Sequence, residues 1–275
     1  MRKFVLISLC ITLFCSCKLS TIFTDKINSF LEKNTINRVT DITLPVGMNL
    51  SSLNYYTEAI IFTDVMTTAS TMLTSYDGET WADRGPWNSL MLEEIEVDQD
   101  GYPTHIPQLT SDGNYSNVKF LVNNHYLGRY ALFFDGEGVL EGPNLELENG
   151  QYVITLDGSG GNTWIIIQET TLGNNIRNMK ILPEGIAPTD DYQIFLDKYK
   201  EGLEPFHSFR FMNWNNTNNS EQVEWENRVT KTSYSQGSAY GTSYDYAIDL
   251  SNEMEVDPWI TVPHLASDDY IREMA

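Results

Sequence analysis

The stretch 209–218 (FRFMNWNNTN) places side chains that recognise sugars directly after a short apolar run. Arg210 offers a forked set of hydrogen-bond donors, and Trp214 offers a flat apolar face. The amides of Asn213 and Asn218 can each donate and accept hydrogen bonds. Because a sugar presents hydroxyl groups around an apolar ring, these residue types at this spacing indicate a carbohydrate-binding site.

Two further short strands are predicted to end on polar side chains. The apolar run 44–48 ends at Asn49, and the run 258–263 ends at His264, whose ring can hydrogen-bond a hydroxyl or a carboxyl group. Parallel α/β barrels carry their chemistry just past the C-terminal ends of their strands. We therefore expect these side chains to join the first stretch in one site. Trp259 lies within its strand and is interpreted as a core residue instead.

A long polar segment between these strands, 213–241, is predicted to be functional, because loops of nearly thirty residues are rarely mere connectors. If it folds over the strand ends, Asn218, Trp225 and Arg228 add to the site. Structural alternatives stay open: Trp225 also suits a loop core. Arg210 also suits an ion pair with an acid that supports the barrel. His264 also suits the cap of the following helix or a position in which backbone groups satisfy its ring.

The composition limits both the class of protein and the kind of ligand that the chain can bind. The chain has 275 residues, of which 41% are hydrophobic and 12% aromatic, which indicates a folded protein of one or two domains. A formal net charge of −21 argues against nucleic acid and against anionic lipid headgroups as partners. It suits a soluble or surface-tethered protein that handles neutral ligands. The aromatic content fits carbohydrate sites and β-sheet cores equally.

The first residues predict export from a bacterial cytoplasm. Two basic residues precede the apolar run 4–14, which is too short to cross a membrane and long enough for a signal peptide. Ser16 places a small residue before Cys17, which resembles a lipobox. Residues 1–17 are thus predicted to be a lipoprotein signal peptide, with lipidation at Cys17 and Cys15 as the alternative acceptor. An ordinary cleaved signal, giving a secreted protein, is the other possibility.

A lipid anchor would place the protein in the cell envelope, on the periplasmic or the outer surface, and would be its contact with the membrane.

No cysteine lies beyond Cys17, which excludes a disulfide, a cysteine metal site and a cysteine nucleophile from the rest of the chain. No cofactor or metal is expected. An EF-hand loop beginning at Asp98 would need a glutamate where Leu109 stands, so 97–101 is interpreted as a hairpin turn.

The pattern along the chain predicts an α/β plus all-β fold. Residues 18–41 are polar and are interpreted as a tether. The pattern over 42–75 predicts a strand, a loop and a helix, which form the first barrel unit. Short strands separated by Asp-Gly and Asn-Gly turns predict a β-sandwich over 76–179. The α/β pattern then resumes over 180–275. We interpret this as a partial (β/α)8 barrel, its first three strands interrupted by the inserted sandwich.

Three helices are predicted in the last part of the chain. The first opens at Asp190 and runs through Leu203, and the second covers 244–254 with Tyr246, Ala247 and Leu250 as its buried side. The third begins with Ser267 as its N-cap and carries acids in its first turn. It has no stop signal, so the sequence looks truncated.

The motifs that match between this chain and a known group are GMNL at 47–50, DQDGYP at 98–103, IRNM at 176–179, FRFMNW at 209–214 with TN at 217–218, Trp225 with Arg228, and DPWITVPH at 257–264 followed by DY at 269–270. In this order they resemble a group of bacterial secreted proteins that look like clan A glycoside hydrolases with a β-sandwich inserted early in a TIM barrel. The set covers most of the mature chain, although each motif alone is weak.

The resemblance implies a polysaccharide or oligosaccharide ligand and two catalytic glutamates. In such relatives an Asn-Glu pair ends the fourth barrel strand and a second glutamate ends the seventh, and retaining hydrolysis needs carboxylates about 5 Å apart. Both are expected beyond Ala275, so the catalytic residues are unknown and this chain alone is expected to be inactive. In the proteins that the chain resembles, an aspartate is common at the position of Asn213.

The dipeptide Asn252-Glu253 has the same residue types as the catalytic pair, but it lies on the predicted helix 244–254 and not at the end of a strand. It is therefore interpreted as a solvated helix end.

Three functions follow from these observations. The first is a carbohydrate-active lipoprotein of glycoside hydrolase type, of which this is the N-terminal part. The second is a surface lipoprotein that binds glycans without cleaving them. The third is a structural or interaction lipoprotein with no affinity for sugars.

Overall fold

The structure is a computed structural model that describes residues 45–75, 82–83, 95–106, 117–189, 191–218 and 220–275. The predictions for residues 1–44, including the signal peptide, the lipidation site Cys17 and the tether, lie outside the described residues. The chain divides into two units, Met1–Pro45 and Val46–Ala275, and the geometry below belongs to the second. None of the helices in the described ranges has the length and apolar character that a membrane span requires.

The described residues form mainly short strands. The strands are β1 (Gly47–Asn49), β2 (Leu73–Ser75), β3 (Ala82–Asp83), β4 (Asn117–Asn123), β5 (Leu127–Asp135), β6 (Gly138–Glu141), β7 (Leu145–Glu148), β8 (Gln151–Asp157), β9 (Asn162–Thr170), β10 (Arg177–Pro183), β11 (Ser208–Arg210) and β12 (Asp257–Trp259). The α-helices are α1 (Asp197–Leu203), α2 (Tyr244–Met254) and α3 (Asp268–Met274). Two 3-10 helices cover Val65–Thr68 and Trp225–Asn227.

Two antiparallel sheets occupy the middle of the chain, where the sequence predicts short strands. One has the strand order β3-β2-β4-β9-β6 and the other β10-β5-β8-β7. Strand β4 alternates as a half-buried strand should, with Val118, Phe120 and Val122 fully buried. Ile165 of β9 and Ile154 of β8 belong to the same apolar cluster, so both sheets share one core.

A third sheet is parallel, with the order β1-β11-β12. Its central strand buries Phe209 completely, in a second apolar cluster that includes Ala247 and Leu250 of α2 and Leu203 of α1. The outer strands β1 and β12 are exposed at every residue. The helices therefore cover one face of the central strand, and the other face carries the polar partners described below.

The prediction of a partial (β/α)8 barrel is wrong. The described residues form a β-rich fold of two antiparallel sheets and one parallel sheet with only three α-helices. Each parallel strand has three residues, because the chain leaves the sheet after Arg210 and Trp259 and does not continue to Met212 and Val262 as predicted. Past β11 the backbone turns at once, and the N–H of Asn215 donates to the carbonyl of Phe211 at 2.9 Å.

The helix predictions have mixed outcomes. The predicted bounds of α2 are confirmed, and of its three predicted buried residues Ala247 and Leu250 are buried and Tyr246 is half-buried. The Ser267 hydroxyl of α3 accepts from the N–H of Tyr270, which confirms the N-cap. Helix α1 begins later than predicted, at Asp197. Before the helix, Phe195 forms an antiparallel bridge with Phe62, and the N–H of Leu196 donates to the carbonyl of Ile61 at 2.9 Å.

Candidate functional site

Three side chains lie in one row across the parallel sheet. Asn49, Arg210 and Trp259 are partners in register on β1, β11 and β12, so their side chains share a face of the sheet. The guanidinium carbon of Arg210 lies 5.0 Å from the centroid of the Trp259 ring, within the range of a cation–π contact. Asn49 is exposed, and 58% of Trp259 is accessible to solvent. We call these three residues the strand-end row.

The interpretation of Trp259 as a core residue is wrong. Strand β12 is an edge of its sheet, and none of its three residues is buried. A tryptophan that is more than half exposed and fixed by a neighbouring arginine offers apolar surface to a ligand. The strand-end rule that identified His264 was applied five residues beyond Trp259, which is the last residue of β12.

Arg210 has hydrogen-bonding capacity that the protein hardly uses. Its Nη2 donates to the sulfur of Met212 at 3.0 Å, and a thioether is a weak acceptor. Its Nε is buried and has no hydrogen-bond partner among the described residues. The two Nη atoms of a guanidinium carry four of its five N–H donors, so donors other than the one directed at Met212 are left for a ligand that reaches the row.

Trp214 cannot offer its face to a sugar in this structure, contrary to the sequence prediction. Its side chain is 1% exposed and belongs to the second apolar cluster. Its ring centroid lies 5.3 Å from that of Phe211 and 6.1 Å from that of Phe62. The turn that follows β11 directs this ring inward, where it contributes to the core.

The remaining predicted strand-end residues are less tightly placed. Asn213 is half-buried in the turn after β11, and Asn218 is exposed. His264 is exposed in a turn that follows buried Pro263. Within the described ranges, no hydrogen bond or ion pair links these three side chains to the strand-end row. Their part in a sugar site stays a prediction.

Trp225 and Arg228 come together in the long segment between β11 and α2. The guanidinium carbon of Arg228 lies 4.0 Å from the centroid of the Trp225 ring. Trp225 also stacks on Tyr244, at 6.2 Å and an interplanar angle of 13°, and meets the edge of Tyr270 at 5.2 Å. The pair is thus packed onto the starts of α2 and α3. Trp225 stays half-exposed, and its part in a sugar site stays a prediction.

The long segment is folded against the rest of the unit. Its two ends meet where the N–H of Thr242 donates to the carbonyl of Trp214 at 2.8 Å and the amide of Asn215 donates to the carbonyl of Thr242 at 3.0 Å. Its middle inserts Tyr234, 6% exposed, into the core that the two antiparallel sheets share. The residues before and after Tyr234 line a cavity.

This cavity has a volume of about 620 Å³, within the range of small-molecule sites. Its walls combine aromatic rings with charged and hydrogen-bonding side chains. The lining residues with polar groups or rings are Phe62, Asp64, Thr67, Tyr102, Phe133, Phe134, Asp135, Asn178, Lys180, Tyr192, Lys231, Thr232, Ser233, Tyr234, Gln236 and Tyr246. None of the site residues predicted from the sequence is among them.

Asp64 is the buried carboxyl group of the cavity. Its Oδ1 accepts hydrogen bonds from the N–H groups of Ile181 at 2.8 Å and Met66 at 3.0 Å. Burial raises the pKa of this carboxyl group from 3.8 to about 6, against the lowering effect of those two bonds and of nearby Lys180. In sequence Asp64 is only an acid before a short apolar run, so nothing local could have predicted its shifted pKa.

Asp98 forms a turn, as predicted. Its Oδ1 accepts from the N–H groups of Asp100 and Tyr102, at 3.0 and 2.9 Å. In the part of the chain that the structure describes, no group of three histidine, cysteine or acidic side chains could hold a metal ion.

Glu253 pairs with Lys200 at 3.2 Å on the surface, in keeping with its interpretation as a solvated helix end.

Comparisons of the chain with family models, with curated proteins and with solved structures find no match. The resemblance to glycoside hydrolases therefore stays a prediction from the sequence motifs.

Proposed function

We propose that this protein binds a polysaccharide or oligosaccharide through the strand-end row, as a lipoprotein of the bacterial cell envelope anchored at Cys17. The observation that carries the proposal is the exposed Trp259 ring held by Arg210 in register with Asn49. Secretion without an anchor is the alternative localisation. The hydrolase activity that the sequence motifs imply stays a prediction.

The chemistry of the row suits a neutral sugar. The exposed part of the Trp259 ring can contact the apolar face of a pyranose, because aromatic rings bury large apolar surfaces and remain rigid. The free donors of Arg210 and the amide of Asn49 can then hydrogen-bond the hydroxyl groups at the ring edge. The net charge of −21 favours neutral over acidic polymers as ligands.

The test is glycan-array binding by the full chain, followed by calorimetry with the glycans it retains. Trp259→Ala should weaken binding about tenfold, because an aromatic contact contributes about 1.5 kcal/mol. Leu172→Ala is the matched control, since Leu172 is 71% exposed and lies in the turn before β10. If no glycan binds, or if Trp259→Ala and Arg210→Ala both leave affinity unchanged, the proposal is wrong.

A further inference from the structure

The cavity described above has groups that the fold itself does not use. Lys180 is half-buried on β10, and its Nζ lies 5.2 Å from the centroid of the Tyr192 ring. Among the described residues this ammonium group makes no ion pair and no hydrogen bond. Oδ2 of Asp64 likewise accepts no described hydrogen bond, because both bonds to this carboxyl group go to Oδ1. A strong donor and a strong acceptor are thus available in one cavity.

Several aromatic rings line this cavity. Tyr246 of α2 meets Phe62 edge-on, with ring centroids 5.3 Å apart, and Lys231 lies 5.4 Å from the Tyr246 centroid. Tyr192 packs beneath Lys180 in a similar way. Rings beside free donors and acceptors suit a ligand that has apolar faces and a polar edge.

The charges of the lining are balanced. Asp64 and Asp135 stand against Lys180 and Lys231, and Lys231 also pairs with Asp249. With Asp249 counted, these groups sum to one negative charge, which gives little attraction for a strongly charged ligand and none for an anion. Its amide and hydroxyl groups include Asn178, whose Nδ2 donates to Asp135 at 2.7 Å.

We propose that this cavity is a second binding site that takes one or two units of a neutral sugar. Lys180 donates to one sugar hydroxyl and Asp64 accepts from another, while Tyr192 and Tyr246 contact the ring faces. The cavity and the strand-end row share no residue. The two sites are therefore tested separately, and the failure of one leaves the other standing.

Binding in the cavity should depend on pH through Asp64. The charged or titratable groups facing it are Lys180 from β10, Tyr102 from the segment 95–106, Tyr126 from the turn before β5, and Tyr246 from α2. Burial raises the pKa of each of these tyrosines, so they stay neutral. An ionised carboxylate accepts a stronger hydrogen bond than a protonated one. Sugar affinity should therefore rise as the pH rises through about 6.

The experiment uses NMR titration of the full chain with glucose, galactose, mannose, maltose and cellobiose, each up to about 10 mM. At least one sugar should give saturable shifts at the backbone amides of Met66 and Ile181, which donate to Asp64. Lys180→Met keeps the alkyl chain and removes the charge, so it should weaken this binding about tenfold. Lys198→Met on exposed Lys198 of α1 is the control and should change nothing.

Two further variants separate the possible outcomes. Asp64→Asn should abolish the rise in affinity between pH 5 and pH 7, which a purely structural role of Asp64 would not predict. Trp259→Ala should leave the cavity shifts intact, although it weakens polysaccharide binding. The inference is overturned if none of the five sugars shifts these amides, or if Lys180→Met binds as well as the parent chain.

Discussion

Asp64 joins segments that are far apart in the chain. Its side chain caps the first 3-10 helix by accepting from Met66, and it accepts from Ile181 of β10 with the same oxygen. It is buried between these segments, and the cost of ionising it there is not fully offset by the two hydrogen bonds. The residue is therefore both a structural link and a source of pH dependence.

The stability of the protein should fall as this carboxyl group ionises. The unfolded chain loses the proton near the ordinary pKa of 3.8 and the folded chain near 6, so folding takes up a proton between these values. The free energy of unfolding should thus decrease as the pH rises from about 4 to 6. The contribution approaches about 3 kcal/mol at pH 7.

Asp64→Asn should remove this dependence, because the amide oxygen can still accept from both N–H groups without carrying a charge. The stability of the variant relative to the parent chain should rise by up to about 3 kcal/mol between pH 4 and pH 7. Urea denaturation at several pH values measures it, with Asp191→Asn on exposed Asp191 as the control. A difference that stays constant over this range would contradict the prediction.

At the scale of elements, the segment between β11 and α2 depends on Gly241 for its closure. Gly241 has φ +79°, and a Cβ there would lie 2.4 Å from the carbonyl carbon of Asn215 and 2.6 Å from the carbonyl oxygen of Trp214. These are backbone atoms of the turn after β11, so they cannot move aside without displacing the turn. The close approach accounts for a glycine at this position.

Gly241→Ala should therefore destabilise the protein by at least about 2 kcal/mol, from the left-handed backbone and from the contact with Asn215. Gly202→Ala is the matched control. Gly202 lies within α1 with no atom within 4 Å of the added Cβ, so alanine there should stabilise by up to about 1 kcal/mol. Thermal unfolding of the two variants measures whether each substitution raises or lowers stability. If Gly241→Ala leaves stability unchanged, the ends of the segment are not held together.

At the scale of the molecule, the two antiparallel sheets should unfold as one unit, because they share an apolar cluster. Ile154 on β8 of the four-stranded sheet and Phe120 on β4 of the five-stranded sheet are both fully buried in it. Removing side-chain volume from one sheet therefore leaves a cavity that the other sheet also lines.

Ile154→Ala should lower stability by about 2–5 kcal/mol and reduce hydrogen-exchange protection in both sheets by a similar factor. Leu147→Ala on β7 is the control, because Leu147 is 62% exposed and should have little effect. Hydrogen exchange followed by mass spectrometry resolves β4 from β8. If protection falls only in the four-stranded sheet, the sheets are independent.

The sequence by itself determined the features whose causes lie within a few residues. The bounds of α2, the N-cap of α3 at Ser267 and the turn at Asp98 all depend on local hydrogen bonds or on helical spacing. Short strands between Asp-Gly and Asn-Gly turns were predictable for the same reason.

Only the tertiary structure decided which side chains face solvent and how many strands form a sheet. Trp214 lies four residues past the end of β11 and is 1% exposed, whereas Trp259 is the last residue of β12 and is 58% exposed. The prediction of a partial barrel was wrong because the length and closure of a sheet depend on pairing between distant segments. Asp64 and Ile181 are 117 residues apart, and the shifted pKa arises only when the intervening chain brings them together and excludes water.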